Sequence, residues 1–276
     1  MTHGSFAAPA HRLLSRCRPS ARLRPSLAAP LDARLVLLHV RRDSLLDPDR
    51  LTGELSNLNQ EVIALALKRM AGNLAVPVVA EIGHGRVVDA VADAVSRHHP
   101  LLVVLGWPNY ADIPDELVHT TSLDILRTAP YPLLVVPAAV AATTPPTRVL
   151  LALDREAFTL GDYAGMARHL LNALGAELTV LHVAAHPGPE DREAEVLESV
   201  RWTGLASDLP TPVRYRHSTA AAPAEGILAV AQPADYDLVV VLARPRSFWG
   251  ELFHRSVTAQ VLKYSAIPVL VLPTEA

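Results

Sequence analysis

With one cysteine in 276 residues, Cys17, the chain cannot close an intramolecular disulfide or build a thiolate metal cluster, and it fits a reducing compartment. Long apolar runs are missing too. Leu101 to Leu105, Leu133 to Val136 and Leu238 to Leu242 fall well short of the roughly 18 residues that span a bilayer, which excludes a membrane helix. A large charge of either sign is also absent: the net charge of −3 argues against a nucleic-acid binder held by counterion release. What is present is a globular composition, 50% hydrophobic and 19% charged, long enough for one large domain or two of about 140 residues.

Residues 1–31 stand apart. They carry Arg12, Arg16, Arg18, Arg22 and Arg24, four prolines (Pro9, Pro19, Pro25 and Pro30) and no acid. This composition imitates a transit peptide but has no apolar stretch for a secretory signal. Two readings stay open, a targeting segment or a degenerate or mis-started beginning, and the second is preferred.

The chain repeats itself. Leu31-Asp-Ala-Arg-Leu-Val-Leu-Leu-His-Val40 returns as Leu174-Gly-Ala-Glu-Leu-Thr-Val-Leu-His-Val183, with six of ten positions identical. A second block, Leu102 to Pro137, aligns without gaps on Leu238 to Pro273. The resulting division is a first unit over 1–137 with an irregular Arg/Pro-rich start over 1–31, a linker over 138–147 containing Pro145-Pro146, and a complete unit over 148–276.

In the second half, short Val/Leu runs alternate with helical patterns, the mark of parallel strands covered on both faces. The expected architecture is α/β: two doubly wound parallel-sheet units of about five strands each. The first half repeats the order from its second strand onward, with Leu55, Leu58, Val62 and Leu65 forming one helical face. It lacks a clear first strand. The place where one is expected, near Phe6 to Arg12, holds Pro9 and Arg12 instead of a run like Val149-Leu-Leu-Ala-Leu153.

The strand ending in Asp154, the Leu174–Val183 block and the closing Ile-Pro-Val-Leu-Val-Leu-Pro273 together resemble the universal stress protein family, fully over about 147–276 and partly over about 26–137. The resemblance implies an adenine nucleotide alpha hydrolase-like fold, a cytoplasmic location and a role in stress survival. It also implies pairing of two units through their last strands, which a tandem chain can satisfy internally or with a second copy. ATP or another adenine nucleotide is the ligand implied, held by a loop patterned Gly-x2-Gly-x9-Gly-(Ser/Thr), by an Asp ending the first strand, and by backbone near the second strand, at Val183 here.

Glycines in such a loop let N–H groups approach phosphates, and the hydroxyl adds a donor. In the second half Asp154 and Ser256 take the Asp and hydroxyl positions, but Leu242, Pro245 and Arg255 replace the glycines. Arg244, Arg246 and Arg255 would still attract an anion; a solvated basic loop is the preferred reading. In the first half Gly106 and Thr120 survive, with Asn109 and His119 in place of the other glycines and Asp112, Asp115 and Glu116 between them, where carboxylates repel a triphosphate.

His39 and His182 occupy matching positions and are read as backbone-bonded residues, since no second ligand lies at metal spacing. His98-His99 ends a helix where a cation suits the dipole. Phe248, Trp249, Leu252 and Phe253 form either a local helix face or a partner surface. Nothing nominates a nucleophile or general base. The expectation is a non-enzymatic stress-response, signalling or scaffold protein with degenerate nucleotide sites; the alternative is a nucleotide- or anion-binding sensor that uses the second unit.

Overall fold

A strand such as Leu133-Leu-Val-Val136 has no polar side to turn to water, so it needs cover on both faces and partners on both edges. The computed structural model of the chain supplies both. It describes residues 5–10, 28, 30–41, 64–69, 71–72, 76–106, 115–128, 131–137, 140, 144–154, 156–186, 193–244 and 256–275, with backbone alone at 5–10, 41 and 115–121.

The first unit contains β1 (Ser5–Ala10), β2 (Arg34–Arg41), β3 (Val78–His84), α1 (Val87–His98), β4 (Leu102–Gly106), α2 (Asp115–Thr128) and β5 (Leu133–Val136). The second opens with β6 (Arg148–Leu153) and a single 3-10 turn, Gly161–Tyr163, that leads into α3 (Ala164–Ala173). It continues through β7 (Glu177–Ala184), α4 (Glu193–Trp202), β8 (Arg214–Thr219), α5 (Pro223–Val230), β9 (Leu238–Ala243), α6 (Val257–Tyr264) and β10 (Val269–Pro273).

All ten strands form one sheet in the order β3-β2-β1-β4-β5-β10-β9-β6-β7-β8. Within each unit the strands are parallel and doubly wound. The units meet antiparallel through their last strands, with Val269, Leu270 and Val271 opposite Val135, Leu134 and Leu133. This is the internal pairing that the family resemblance implies. Each face of the sheet carries one apolar cluster that runs across the joint. One contains Val103, Val135, Val239 and Val271, and the other Leu102, Leu134, Leu238 and Leu270. Tyr131 and Tyr163 add an edge-to-face contact between the units, with ring centroids 5.4 Å apart.

Two sequence expectations change. The opening strand that the first half seemed to lack is present as backbone, Ser5–Ala10, paired with β2 along its length and with β4 at Phe6 and Ala7. It escapes notice because Pro9, which has no N–H, lies in the part paired only with β2. In the helical stretch 64–69 the buried residue is Leu67, while Leu65 is 52% exposed. Leu55, Leu58 and Val62 lie outside the described residues.

At the amino-terminal ends of the second unit's strands, a single carboxylate ties β6 to β9. Asp237 accepts hydrogen bonds from the backbone N–H groups of Thr147 (3.2 Å) and Arg148 (2.9 Å) and from Arg148 Nη2 (2.6 Å). Arg148 also donates to the carbonyls of Pro233 and Ala234. Burial raises the Asp237 carboxyl's pKa, but these donors outweigh it and hold the group below its ordinary range. By the strand registers, Ser5 and Leu101 stand at the corresponding places of the first unit, and Leu101 offers no carboxylate for such a tie.

Because both clusters cross the joint, Leu134→Ala is expected to cost about 2–5 kcal/mol and to lower the stability of both halves in one cooperative transition, measured by urea titration with circular dichroism and tryptophan fluorescence. Asp237→Ala is expected to cost about 1–2 kcal/mol at neutral pH, moderated by the pair's partial exposure. A folded-state pKa held low stabilises above the usual carboxylate range and loses that contribution as pH falls through the lowered value. The wild-type advantage over Asp237→Ala should therefore shrink below about pH 4 in melts run across pH, and an undiminished difference there would contradict the assignment.

Candidate functional site

In an open parallel sheet the binding crevice lies beyond the carboxyl ends of the strands, where the strand order reverses. In the second unit that point lies between β6 and β9, with β7 on the far side of β6. The registers place Leu153 opposite His182 and Ala152 opposite Val241, so Asp154, Val183 and Arg244 all reach the same sheet edge. Ser256 joins them from α6. The helix is fixed to the end of β9 by Thr258 Oγ1, which donates to the Leu242 carbonyl (3.2 Å).

The crevice is occupied by the protein's own side chain. Arg244 spans it and donates through Nε to Asp154 Oδ2 (3.1 Å) and through Nη2 to Asp154 Oδ1 (2.5 Å). It donates further to the carbonyls of Glu156 (2.8 Å) and Ala157 (3.1 Å), and its Nε lies 3.6 Å from Glu156 Oε2. The Arg244 side chain is only 14% exposed. A guanidinium fork used this way on a carboxylate is the same fork that would read a phosphate. Asp154 Oδ1 also accepts the Glu156 N–H (3.1 Å), a local turn that brings the second carboxylate to the Arg. Among the described residues this cluster sets two carboxylates around one guanidinium, a local arrangement unfavourable to a triphosphate at Asp154 itself.

The remaining candidates have structural duties. Ser256 is the N-cap of α6, its Oγ accepting the Ala259 N–H (3.1 Å); the hydroxyl proton remains available to a ligand. Val183 packs against α5 at Gly226, where a Cβ would lie 2.5 Å from Val183 Cγ1. Buried His182 donates from Nδ1 to the Leu153 carbonyl (3.3 Å), and its ring lies 6.1 Å from that of His217, a neighbour the sequence reading passed over. Arg246, Arg255 and the Phe248, Trp249, Leu252, Phe253 group lie outside the described residues.

In the first unit the corresponding elements are arranged differently. Gly106 ends β4 opposite Val136. Thr120 is not at a helix start as Ser256 is: it is the sixth residue of α2, past the turn whose N–H groups are open to an anion. That first turn holds Asp115 and Glu116, where acids complement the helix dipole. His98 and His99 end α1 as the sequence suggested: His98 is its last residue and also pairs through Nε2 with Glu81 Oε1 (2.6 Å), and His99 forms the left-handed C-cap. Burial raises the Glu81 pKa, but hydrogen bonds from Arg97 and His98 outweigh it and hold it low.

The sequence model described as "Universal stress protein family" matches residues 20–137 and again 146–273. The chain belongs to the universal stress protein family. The universal stress protein Rv1996 of Mycobacterium tuberculosis is 24% identical over 247 residues, covering 84% of this chain and 76% of that one, as is Mb2019 of Mycobacterium bovis. Among solved structures, a universal stress protein from Archaeoglobus fulgidus superposes with a TM-score of 0.67 at 18% identity, covering 97% of this chain and 98% of that one. One from Pseudomonas aeruginosa gives 0.59 at 18% identity over 98% and 93%. These two establish the fold of this family member over nearly its whole length. No helix among its described residues is long and apolar enough to cross a membrane.

The Arg244 bridge is testable without any ligand. Arg244→Lys keeps the charge and loses the fork, so both it and Asp154→Asn are expected to lower the melting temperature. Their double-mutant cycle should give a coupling of about 1 kcal/mol, held down by the exposure of Asp154. Additive losses would show that the bridge carries no stability.

Proposed function

We propose that this universal stress protein acts without catalysis, as a stress-response signalling or scaffold component whose nucleotide sites have degenerated. The observation that carries this reading is the Arg244 bridge: the Asp that the family resemblance assigns to a nucleotide is held by a guanidinium from the neighbouring strand end. The loss of all three loop glycines in the second unit, and of the second and third in the first, supports it, since the replacements carry side chains where backbone would approach phosphate. So does Thr120, which lies inside a helix instead of capping one. Pairing through β5 and β10 is satisfied within one chain, so the scaffold needs no second copy to complete its sheet. A cytoplasmic location belongs to the proposal and rests on the single cysteine and the family resemblance.

Titration calorimetry of the full chain with ATP, ADP and AMP is expected to give no saturable heat at micromolar concentrations. Micromolar binding that weakens from ATP to AMP would overturn the proposal.

One observation favours a second reading, an adenine-nucleotide or anion sensor. Ser256 keeps a hydroxyl proton at the start of α6, beside the end of β9. On that reading an anion raises the melting temperature of the wild type, and Ser256→Ala together with Asp154→Ala abolishes the shift.

A further inference from the structure

Away from the switch-point crevice, a cleft of about 360 Å3 opens at the outer margin of the second unit, between the carboxyl half of α4, the turn after it and the approach to edge strand β8. Its inner lining is apolar: Leu197, Val200, Ala206 and Val213 are buried or half-buried. Its exposed lining residues are Arg201, Ser207 and Pro212, so one cation and one hydroxyl stand at the mouth of an oily floor. The volume falls within the range of small-molecule pockets.

Two further observations bear on what fills it. Arg201 makes no side-chain hydrogen bond or ion pair among the described residues, whereas nearby Asp208 is engaged by Arg168 at 3.6 Å and Arg214, opening β8, by Glu177 at 3.6 Å. Thr211, adjoining lining residue Pro212, has a buried Oγ1 with no hydrogen-bond partner, an unmet polar atom in the segment that forms the wall. An apolar floor with an uncommitted guanidinium and the Ser207 hydroxyl at its mouth complements a ligand with an aliphatic body and one anionic head.

We propose that the cleft between α4 and β8 binds an amphipathic aliphatic monocarboxylate, its chain against Leu197, Val200 and Val213 and its carboxylate accepting from Arg201. This site is separate from the crevice at Asp154 and does not depend on whether a nucleotide binds there.

The test is calorimetry of the full chain with butanoate, hexanoate and octanoate, with 1-octanol as the control that keeps the aliphatic body without the anionic head and succinate as the control that keeps carboxylates without the body, which is expected to give no saturable binding. Saturable one-to-one binding is expected, tightening about three- to fourfold per methylene until the cleft is full. Excess ATP should leave it unchanged. Arg201→Gln should weaken octanoate about tenfold and leave 1-octanol unaffected, and Ala206→Phe should abolish both by filling the floor. No saturable octanoate binding at millimolar concentration would overturn the proposal. So would equal affinity in Arg201→Gln and wild type, or a response without chain-length dependence. If Ala206→Phe fails to fold by circular dichroism, the chain-length series and Arg201→Gln decide the matter alone.

Discussion

The antiparallel pairing of β5 with β10 is the constraint on which the rest of the molecule depends. Both strands are buried at every residue, so neither has a face or an edge suited to water. Left unpaired, each unit would present an apolar edge and two truncated cores. Joined, they share a sheet whose clusters continue from one unit into the other on both faces. The outer edges then fall on β3 and β8, which bear the polar groups that the joint strands lack: Glu81 held by Arg97 and His98 on one, Arg214, Arg216 and exposed His217 on the other. The tandem chain thus fixes by covalent linkage a pairing that separate units would reach only by association.

Fixing that architecture leaves the carboxyl ends of the strands free to vary, because they lie away from the joint's packing. The two units use this freedom differently. In the second, charges on the ends of β6 and β9 neutralise each other across the switch point, and charges on the opposite edge of the same two strands do likewise through Asp237 and Arg148. β6 is consequently clamped to β9 at both ends, and the crevice between them becomes part of the scaffold. In the first unit the residue that would supply the Asp237 carboxylate is Leu101, which has none to offer. Ser5 and Leu101 stand where Arg148 and Asp237 would be, and the helix that should open at Thr120 instead begins at Asp115.

Much of this fold is legible in the sequence because buried parallel strands write themselves as uninterrupted Val/Leu runs, and the repeat shows each run twice. β9 and β10 could be placed within a residue or two from Leu238–Leu242 and Val269–Leu272 alone. β1 is different: Ser5-Phe-Ala-Ala-Pro-Ala10 has small residues and a proline, and its place is set by β2 and β4 on either side. Local pattern carries no trace of such tertiary placement. The site was legible in its parts but not in its pairing. Asp154 and Arg244 are 90 residues apart, and each alone reads as a solvated residue after a strand. The available signal was topological: once strands one and four of a doubly wound unit are taken as neighbours, an acid and a base that each follow such a strand must face one another.

That geometry also bears on how a carboxylate at the end of a parallel strand is satisfied from within the chain. Replacing the loop glycines puts side chains where backbone donors would approach a phosphate, and at Pro245 withdraws one donor outright, but it does nothing for the strand-end carboxylate. An arginine at the end of β9 supplies what the ligand would have left behind: four hydrogen bonds, two to the carboxylate and two to the Glu156 and Ala157 carbonyls, made from within the chain. Because the partners are tethered, the contact needs no second molecule to form, and an anion that takes the Arg244 guanidinium must return the Asp154 and Glu156 carboxylates to water without their partner. The carboxylate at the end of β6 is therefore satisfied by the chain itself, through a contact that joins the first and fourth strands of the unit.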